Sequence, residues 1–170
     1  MHVDNKSGRN DCFLAKNKPR SSNLRKGRVS EPGRAYMLTT VTYGRQPIFT
    51  DLYCGRELAN AISYHDRTGW SETLAWVAMP DHVHWLLVLG EKGPLEKLMR
   101  SFKSYTARVL NVYLQRKGAQ CWQSGYHDHA VRKDENLRQL ARYIVTNPLR
   151  AGIVDEIGRY PFWDAAWLEG

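Results

Sequence analysis

The pattern of apolar and polar positions divides the chain into short strands and longer helices. A β-rich, partly alternating run over 35–43 predicts a first strand. Asp51 then has the position of a helix N-cap, and apolar residues follow it at helical spacing as far as Gly69. Runs over 73–79 and 83–89 predict an antiparallel pair of strands joined by a tight turn. The first half of the chain is therefore expected to read strand, helix, strand, strand.

The second half continues the alternation. One apolar stripe with a basic flank predicts a helix over about 94–115, and a short strand is expected over 129–132. Asp134 is the expected cap of a last helix that runs to about Thr146 and is ended by Pro148. The order β-α-β-β-α-β-α predicts an α+β fold. We expect a ferredoxin-like (RRM-like) antiparallel βαββαβ sheet with an additional C-terminal helix.

Length and composition predict one domain. At 170 residues with 42% hydrophobic positions, the chain has room for a single core, placed at 34–170, and an N-terminal arm over 1–33. No apolar run reaches the roughly 18 residues of a membrane span, and the polar start carries no secretory signal. The expected address is the cytoplasm, in association with the nucleoid. The odd, widely spaced Cys12, Cys54 and Cys121 are expected to be reduced thiols.

Positive charge is concentrated at the N-terminus. Nine Lys/Arg against three Asp/Glu in residues 1–34 account for +6 of the formal net charge of +8. Such a polar, basic segment is expected to be mobile until it meets a polyanion such as nucleic acid. The alternative is a solvated tail without a partner. The candidate nucleic-acid-binding residues here are Arg20, Arg25, Lys26, Arg28 and Arg34.

The segment 79–89, M-P-D-H-V-H-W-L-L-V-L, contains a candidate metal site. Strand side chains alternate between faces, so His82 and His84 point the same way at the start of a strand that is apolar on both faces. Two imidazoles that converge on one point are suited to binding a metal ion. The alternative is that one or both are core histidines with satisfied hydrogen bonds.

The last helix carries a candidate nucleophile. Tyr143 lies off the apolar stripe of that helix, and Asn147 follows one turn later on the same face. Tyr105 is expected to pack against its own helix stripe instead. A phenol can attack a phosphodiester and hold the chain as a phosphotyrosine, while a metal ion polarises the phosphate. With Asn147 as a third, oxygen ligand, the site would suit Mg²⁺ or Mn²⁺, although imidazole also binds zinc and copper.

A second His-X-His pair competes for the metal. His127 and His129 lie in a shorter, less apolar strand, so we expect His127 to be exposed and His129 to play at most an accessory part in orienting a ligand or phosphate. Arg132, Lys133 and Arg150 are further candidates for phosphate contacts, or members of an ordinary solvated face. Among the tryptophans, Trp122 and Trp163 are favoured for base stacking because they lie in predicted loops.

Three segments together resemble one known family. M-P-D-H-V-H-W-L-L at 79–87, W-Q-S-G-Y-H-D-H-A-V-R at 122–132 and Y-I-V-T-N-P-L-R-A-G-I-V at 143–154 occur in the order seen in the HUH single-tyrosine transposases, and within them in the REP-associated tyrosine transposases of bacteria. L-R-K-G-R at 24–28 and Y-P-F-W-D at 160–164 add weaker support. The resemblance spans about 24–167.

The resemblance implies an activity and a site. His82 and His84 would be metal ligands, Tyr143 the nucleophile and Asn147 a third ligand, although insertion-sequence relatives often have Gln at the last position. The implied substrate is single-stranded DNA with a palindromic hairpin, cut to leave a 5′-phosphotyrosine and a free 3′-OH and then rejoined. The protein would act as a monomer or as a dimer that forms on DNA. Two alternatives remain: a hairpin-binding protein that no longer cuts, and a metal-dependent phosphoesterase that uses water.

Overall fold

The computed structural model describes residues 30–167 and contains five strands and four α-helices in that range. The basic candidates Arg20, Arg25, Lys26 and Arg28 lie outside the described residues. The elements in chain order are β1 Ala35–Val41, α1 Leu52–Arg67, β2 Ser71–Met79, β3 His82–Leu89, α2 Leu95–Tyr113, β4 His127–Ala130, α3 Leu137–Val145, α4 Asn147–Arg150 and β5 Trp163–Ala165.

The strands form one antiparallel sheet in the order β4-β1-β3-β2-β5. The first four strands have the order expected of a ferredoxin-like βαββαβ unit, which confirms the predicted fold class, and β5 adds a strand beside β2. In the register, β3 lies between β1 and β2 along its whole length, from His82 opposite Val41 to Val88 opposite Ala35. The strand that carries the histidine pair is therefore central in the sheet.

The sheet is covered by helices on both faces. On one face Trp85 contacts Phe102 of α2, with ring centroids 5.2 Å apart, and His65 of α1. Val77 and Leu86 point to the opposite face, yet both are fully buried because α3 packs against β2 and β3 there. His82 and His84 belong to this second face, at the end where α3 meets α4.

The ends of two elements differ from the predictions. Asn136, not Asp134, caps α3, since its side chain accepts a hydrogen bond from the Gln139 amide. Residues 132–135 form a turn closed by a bond from the Glu135 amide to the Arg132 carbonyl, so the helix begins later. Pro148 ends α3 as expected, but it also occupies the first turn of α4, where the missing N–H of proline costs nothing.

The β4 and β5 strands also differ from the expectation. β4 begins at His127 rather than at His129, because its register against β1 places His127 opposite Thr39. β5 is only three residues long and carries no recognisable periodicity. Its segment is held by Tyr160, whose hydroxyl donates to the Ala78 carbonyl, and by Phe162, whose ring occupies the space where a Cβ at Gly55 would be.

The predicted boundary between arm and domain at 33/34 stays a prediction, but residues 30–33 already contact the domain. Ser30 accepts a hydrogen bond from the Leu95 amide at the start of α2, and the Gly33 amide donates to the Leu89 carbonyl. Cys54 and Cys121 are free and buried, as expected of reduced thiols, while Cys12 lies outside the described range. Among the helices of residues 30–167, none has both the length and the apolar character of a membrane span.

Candidate active site

The histidine pair lies where β3 leaves the β2–β3 turn. His82 is opposite Met79 on β2 and Val41 on β1, and His84 is opposite Val77 and Thr39. Their rings lie on the same face of the sheet with centroids 4.9 Å apart and planes at 88°. Pairing with two flanking strands holds the backbone at both positions, so both side chains are attached to a rigid part of the sheet.

Each histidine ring is oriented through its Nδ1 atom. Nδ1 of His82 lies 2.6 Å from the Asp81 carboxylate, which can only accept, so this nitrogen carries the proton. Nδ1 of His84 lies 2.8 Å from the Thr39 hydroxyl. Metal-binding histidines are commonly fixed in this way through one ring nitrogen, so that the other presents its lone pair to the ion. The geometry directs Nε2 of both rings toward that role.

Asp81 is itself held in the charged form. Its partial burial opposes ionisation, but hydrogen bonds from His82 and from Arg45 outweigh that effect and lower the pKa of the carboxyl group. The Arg45 guanidinium donates to the second carboxylate oxygen at 2.9 Å. Arg45 therefore supports His82 through Asp81, although it is 37 residues away from the histidine in sequence.

The electrostatics of the site keep His84 neutral. Burial is the main cause that lowers its pKa, to about 4, and electrostatic interactions with His82 and Arg150 lower it further. A neutral imidazole has the lone pair that a metal ion needs, whereas a protonated one does not. At neutral pH this ring is ready to bind a cation without first losing a proton.

Tyr143 and Asn147 lie at the junction of α3 and α4. The Tyr143 side chain is 57% exposed, as its position off the apolar stripe predicted. The Asn147 amide nitrogen donates to the Ile144 carbonyl at 2.8 Å, which fixes the orientation of the amide group. Both residues contact Arg150: its guanidinium carbon lies 3.8 Å from the Tyr143 ring centroid, and its Nη2 donates to Asn147 Oδ1 at 2.7 Å.

Arg150 connects the two halves of the site. It contacts Tyr143 and Asn147 directly, and its charge acts on His84 of β3. The fold thus brings Tyr143 and Asn147 into contact with one arginine whose charge also acts on His84. Nothing in the local sequence distinguishes this arginine from the other basic candidates, since its contacts depend on the turn between two helices.

The donor set fits a hard or borderline divalent cation. No cluster of three or more His, Cys, Asp or Glu side chains that could hold an ion occurs within residues 30–167. The candidate donors are two imidazoles and one amide oxygen, and the remaining positions would be left to water and phosphate. Such a mixed, open donor set is compatible with Mg²⁺ or Mn²⁺, which retain waters and bind phosphate oxygens.

The basic candidates other than Arg150 lie elsewhere. Arg34 precedes β1 and pairs with Glu31 at 3.3 Å, and the chain reaches Arg132 and Lys133 directly after β4, which ends beside the start of β1. His82 lies opposite the other end of β1, about 20 Å away along the strand. The structure groups these three residues with one another and not with the histidine pair.

The second His-X-His pair lies on the neighbouring edge strand: His127 is opposite Thr39, the residue that contacts His84, whereas His129 lies further along β1. His127 is exposed, as predicted. Nε2 of His129 lies 3.0 Å from both carboxylate oxygens of Glu135, which also accepts from the Arg132 amide. In the register His129 is opposite Met37, four positions along β1 from the partner of His82.

The expectations for three aromatic residues are not met. Trp122 is only 5% exposed, packs against Phe49 and Phe102, and donates its indole N–H to Thr106, so it presents no face to a base. Trp163 is half-buried in β5 and donates to the Ile157 carbonyl. Conversely, Tyr105 is 38% exposed rather than packed. An irregular segment can thus be buried as deeply as a strand.

Comparisons with known proteins identify the family of the chain. The profile of the family described as "Transposase IS200 like" matches residues 33–147. A REP-associated tyrosine transposase of Escherichia coli (strain K12) is 28% identical over 119 residues, which cover 69% of this chain and 67% of the relative.

Solved structures share the fold. The structure of a REP-associated tyrosine transposase bound to a REP hairpin has a TM-score of 0.64 and 26% identity, and the match covers 80% of this chain and 79% of that chain. A crystal structure from Deinococcus radiodurans has a TM-score of 0.51 at 22% identity, over 71% of this chain and 95% of that chain.

Proposed function

The chain belongs to the IS200-like family of transposases, the single-tyrosine enzymes, and from this we propose that it cuts and rejoins single-stranded DNA beside a REP-type hairpin with Tyr143 as nucleophile. One set of contacts carries the proposal: Arg150 stacks on Tyr143, donates to Asn147 and acts electrostatically on His84, which supports a site shared by the proposed nucleophile and ligands.

Tyr143 performs the covalent step. Its phenolic oxygen loses its proton to solvent and attacks the scissile phosphorus, the bond between phosphorus and the 3′ oxygen of the preceding nucleotide breaks, and that oxygen takes a proton from solvent and leaves as a free 3′-OH. The DNA is then held as a 5′-phosphotyrosine, and attack by a 3′-OH on this ester rejoins a strand without a further energy source. The exposed position of Tyr143 allows a flexible strand to reach it.

The histidines and Asn147 prepare the site for a cation. His82 and His84 would hold it through Nε2, with Asp81 and Thr39 fixing the rings, and Asn147 would add Oδ1. A bound Mg²⁺ or Mn²⁺ supplies polarisation of a non-bridging phosphate oxygen and alignment of the scissile bond.

The DNA partner is inferred from charge and from a relative. One solved relative is bound to a REP hairpin, and this chain has a formal net charge of +8. We infer binding of a hairpin with a single-stranded flank in the cytoplasm, on nucleoid DNA, by a monomer that associates further on DNA. The segment 1–33 would add phosphate contacts, so removal of residues 1–30 should weaken binding and flatten the salt dependence.

The decisive experiment is a trapping assay. Labelled single-stranded hairpins are incubated with the protein and Mn²⁺, and the products are separated by denaturing electrophoresis and mapped by peptide sequencing. We expect a metal-dependent covalent adduct on Tyr143, absent in Tyr143→Phe. Tyr105→Phe is the matched control, since Tyr105 is also an exposed helical tyrosine with an arginine, Arg108, over its ring.

The same assay separates the alternatives. Cutting without an adduct, at a rate unchanged in Tyr143→Phe, would identify water as the nucleophile and the protein as a phosphoesterase. Tight hairpin binding with neither cutting nor adduct would identify a binding protein that has kept the fold.

A further inference from the structure

Arg150 is hydrogen-bonded to Asn147 Oδ1, the atom that the proposed site needs as its third metal ligand. The Nη2 atom of Arg150 donates to Asn147 Oδ1 at 2.7 Å and to the Tyr143 carbonyl at 2.8 Å, and the guanidinium carbon lies over the Tyr143 ring. The Asn147 amide nitrogen can only donate, and it does so to the Ile144 carbonyl, so Oδ1 is the amide atom that can ligate a cation. The arginine therefore competes with the ion for one oxygen.

A guanidinium and a divalent cation cannot share that oxygen at low cost. Both are positive, and two charges about 4 Å apart repel strongly when water is partly excluded. The charge of Arg150 already acts on His84, one of the two proposed histidine ligands. An ion bound by His82, His84 and Asn147 would thus require Arg150 to leave Oδ1.

A phosphate can draw Arg150 away. Guanidinium groups bind phosphate oxygens through two parallel, charge-assisted hydrogen bonds, which are stronger than a bond to a neutral amide. The Arg150 side chain is exposed and emerges from α4, a helix of only four residues, so its head can turn without unfolding a packed element. DNA brings the phosphate to the side of Tyr143 where the guanidinium lies.

We propose that Arg150 is a positioning residue that couples DNA binding to metal ligation: it holds Asn147 Oδ1 in the free protein and passes to a DNA phosphate when the strand binds, which releases the oxygen to the cation. This inference rests on the proposed function. It assigns to Arg150 an exchange of partners, and not merely the neutralisation of DNA charge that any surface arginine provides.

The test is a double-mutant cycle on Mn²⁺ affinity, measured by titration calorimetry with the full chain. All proteins carry Tyr143→Phe, which keeps the ring under Arg150 and prevents cutting. Without DNA, we expect Asn147→Ala to change the Mn²⁺ affinity little, because Arg150 blocks the oxygen. With Arg150→Ala added, Asn147→Ala should weaken Mn²⁺ binding by about tenfold, the value of one lost polar contact to a charge.

A second arm tests the release by DNA. With Arg150 intact and a bound thymidine oligonucleotide of about twelve nucleotides, Asn147→Ala should again weaken Mn²⁺ binding by about tenfold. An Asn147→Ala effect that is the same in all three settings would overturn the exchange, as would its absence when Arg150 is removed. If Asn147→Ala weakens Mn²⁺ binding when Arg150 is removed but has no effect when DNA is bound, then DNA does not release Asn147 from Arg150.

Controls separate the exchange from general electrostatics and from misfolding. Arg142→Ala removes one charge from the exposed side of the preceding helix and should leave Asn147→Ala without effect in the absence of DNA. Thermal unfolding identifies variants that do not fold, and Asn147→Leu, of similar size, replaces Asn147→Ala in that case. If the cycle is observed while the unmodified protein forms no Tyr143 adduct in the trapping assay, the proposed function is disproved and the exchange is not.

Discussion

The two His-X-His segments of this chain have the same spacing and different surroundings. His82 and His84 lie on β3, a strand with a neighbour on each side, and the Nδ1 atom of each ring has a partner. His127 and His129 lie on β4, a four-residue strand at the edge of the sheet. There His127 is exposed, and Nε2 of His129 is bound to Glu135.

The comparison shows that spacing alone does not create a metal site. Alternation along a strand makes two rings point the same way in both segments. Only on the central strand do a carboxylate and a hydroxyl fix Nδ1 and leave Nε2 available, which is the arrangement of a ligand. On the edge strand the corresponding nitrogen of His129 faces an acid that competes with any cation for it.

Replacing the histidines themselves should give the largest difference between the two pairs in Mn²⁺ affinity and adduct formation. We expect His82→Ala and His84→Ala each to weaken Mn²⁺ binding by about 100-fold or more, beyond the effect of losing an orienting partner, and to abolish the Tyr143 adduct. His127→Ala and His129→Ala should retain both. Calorimetry and the trapping assay measure the two quantities, and a loss of metal binding in His127→Ala would show that the edge pair is the site.

The residues that orient the rings should give the next largest effect. Asp81→Asn and Thr39→Val remove the partners of Nδ1 and should weaken Mn²⁺ binding by about 10- to 100-fold while leaving the ligands in place. Arg45 contacts Asp81 and not the histidine ring, so Arg45→Ala should weaken Mn²⁺ binding less. Equal affinities for all three variants and the unmodified protein would mean that the rings need no such support.

The same contrast marks the limit of prediction from sequence. The alternation in 82–89 was enough to predict one face and a central strand, and the position of Tyr143 off its helix stripe was enough to predict exposure. The partner of His84 is Thr39, 45 residues earlier, and it is fixed only by the register of β1 against β3. Contacts that depend on strand pairing carry no local signal.

Local chemistry was ambiguous in other places. Asp134 and Asn136 are both good helix caps, and the choice falls on Asn136 because a turn through residue 135 delays the helix. Trp122 lies outside the helices and strands, yet it is buried because the segment before β4 packs against Phe49 and Phe102. Sequence alone therefore named candidate ligands but did not predict their tertiary neighbours.

The buried environment of His84 predicts a pH effect on the metal-free protein. Its pKa is about 4 in the fold against an ordinary value of 6.5, so the unfolded chain binds the proton more readily between these values. The free energy of unfolding should therefore fall as the pH drops from 6.5 toward 4, and His84→Leu should reduce this slope. Urea titrations in EDTA at several pH values measure it; an unchanged slope in His84→Leu would contradict the assignment.

The smallest expected effect comes from freeing the edge pair. Glu135→Gln removes the charge that holds Nε2 of His129 but keeps an acceptor for the Arg132 amide, so α3 should still begin at its cap. If position in the sheet determines the site, this variant still binds a single Mn²⁺, with nearly the same affinity and unfolding midpoint. A second Mn²⁺ in the calorimetric stoichiometry would instead mean that Glu135, and not the edge position, prevents His127 and His129 from binding metal. The experiment therefore distinguishes a strand that cannot form a site from one whose site is blocked.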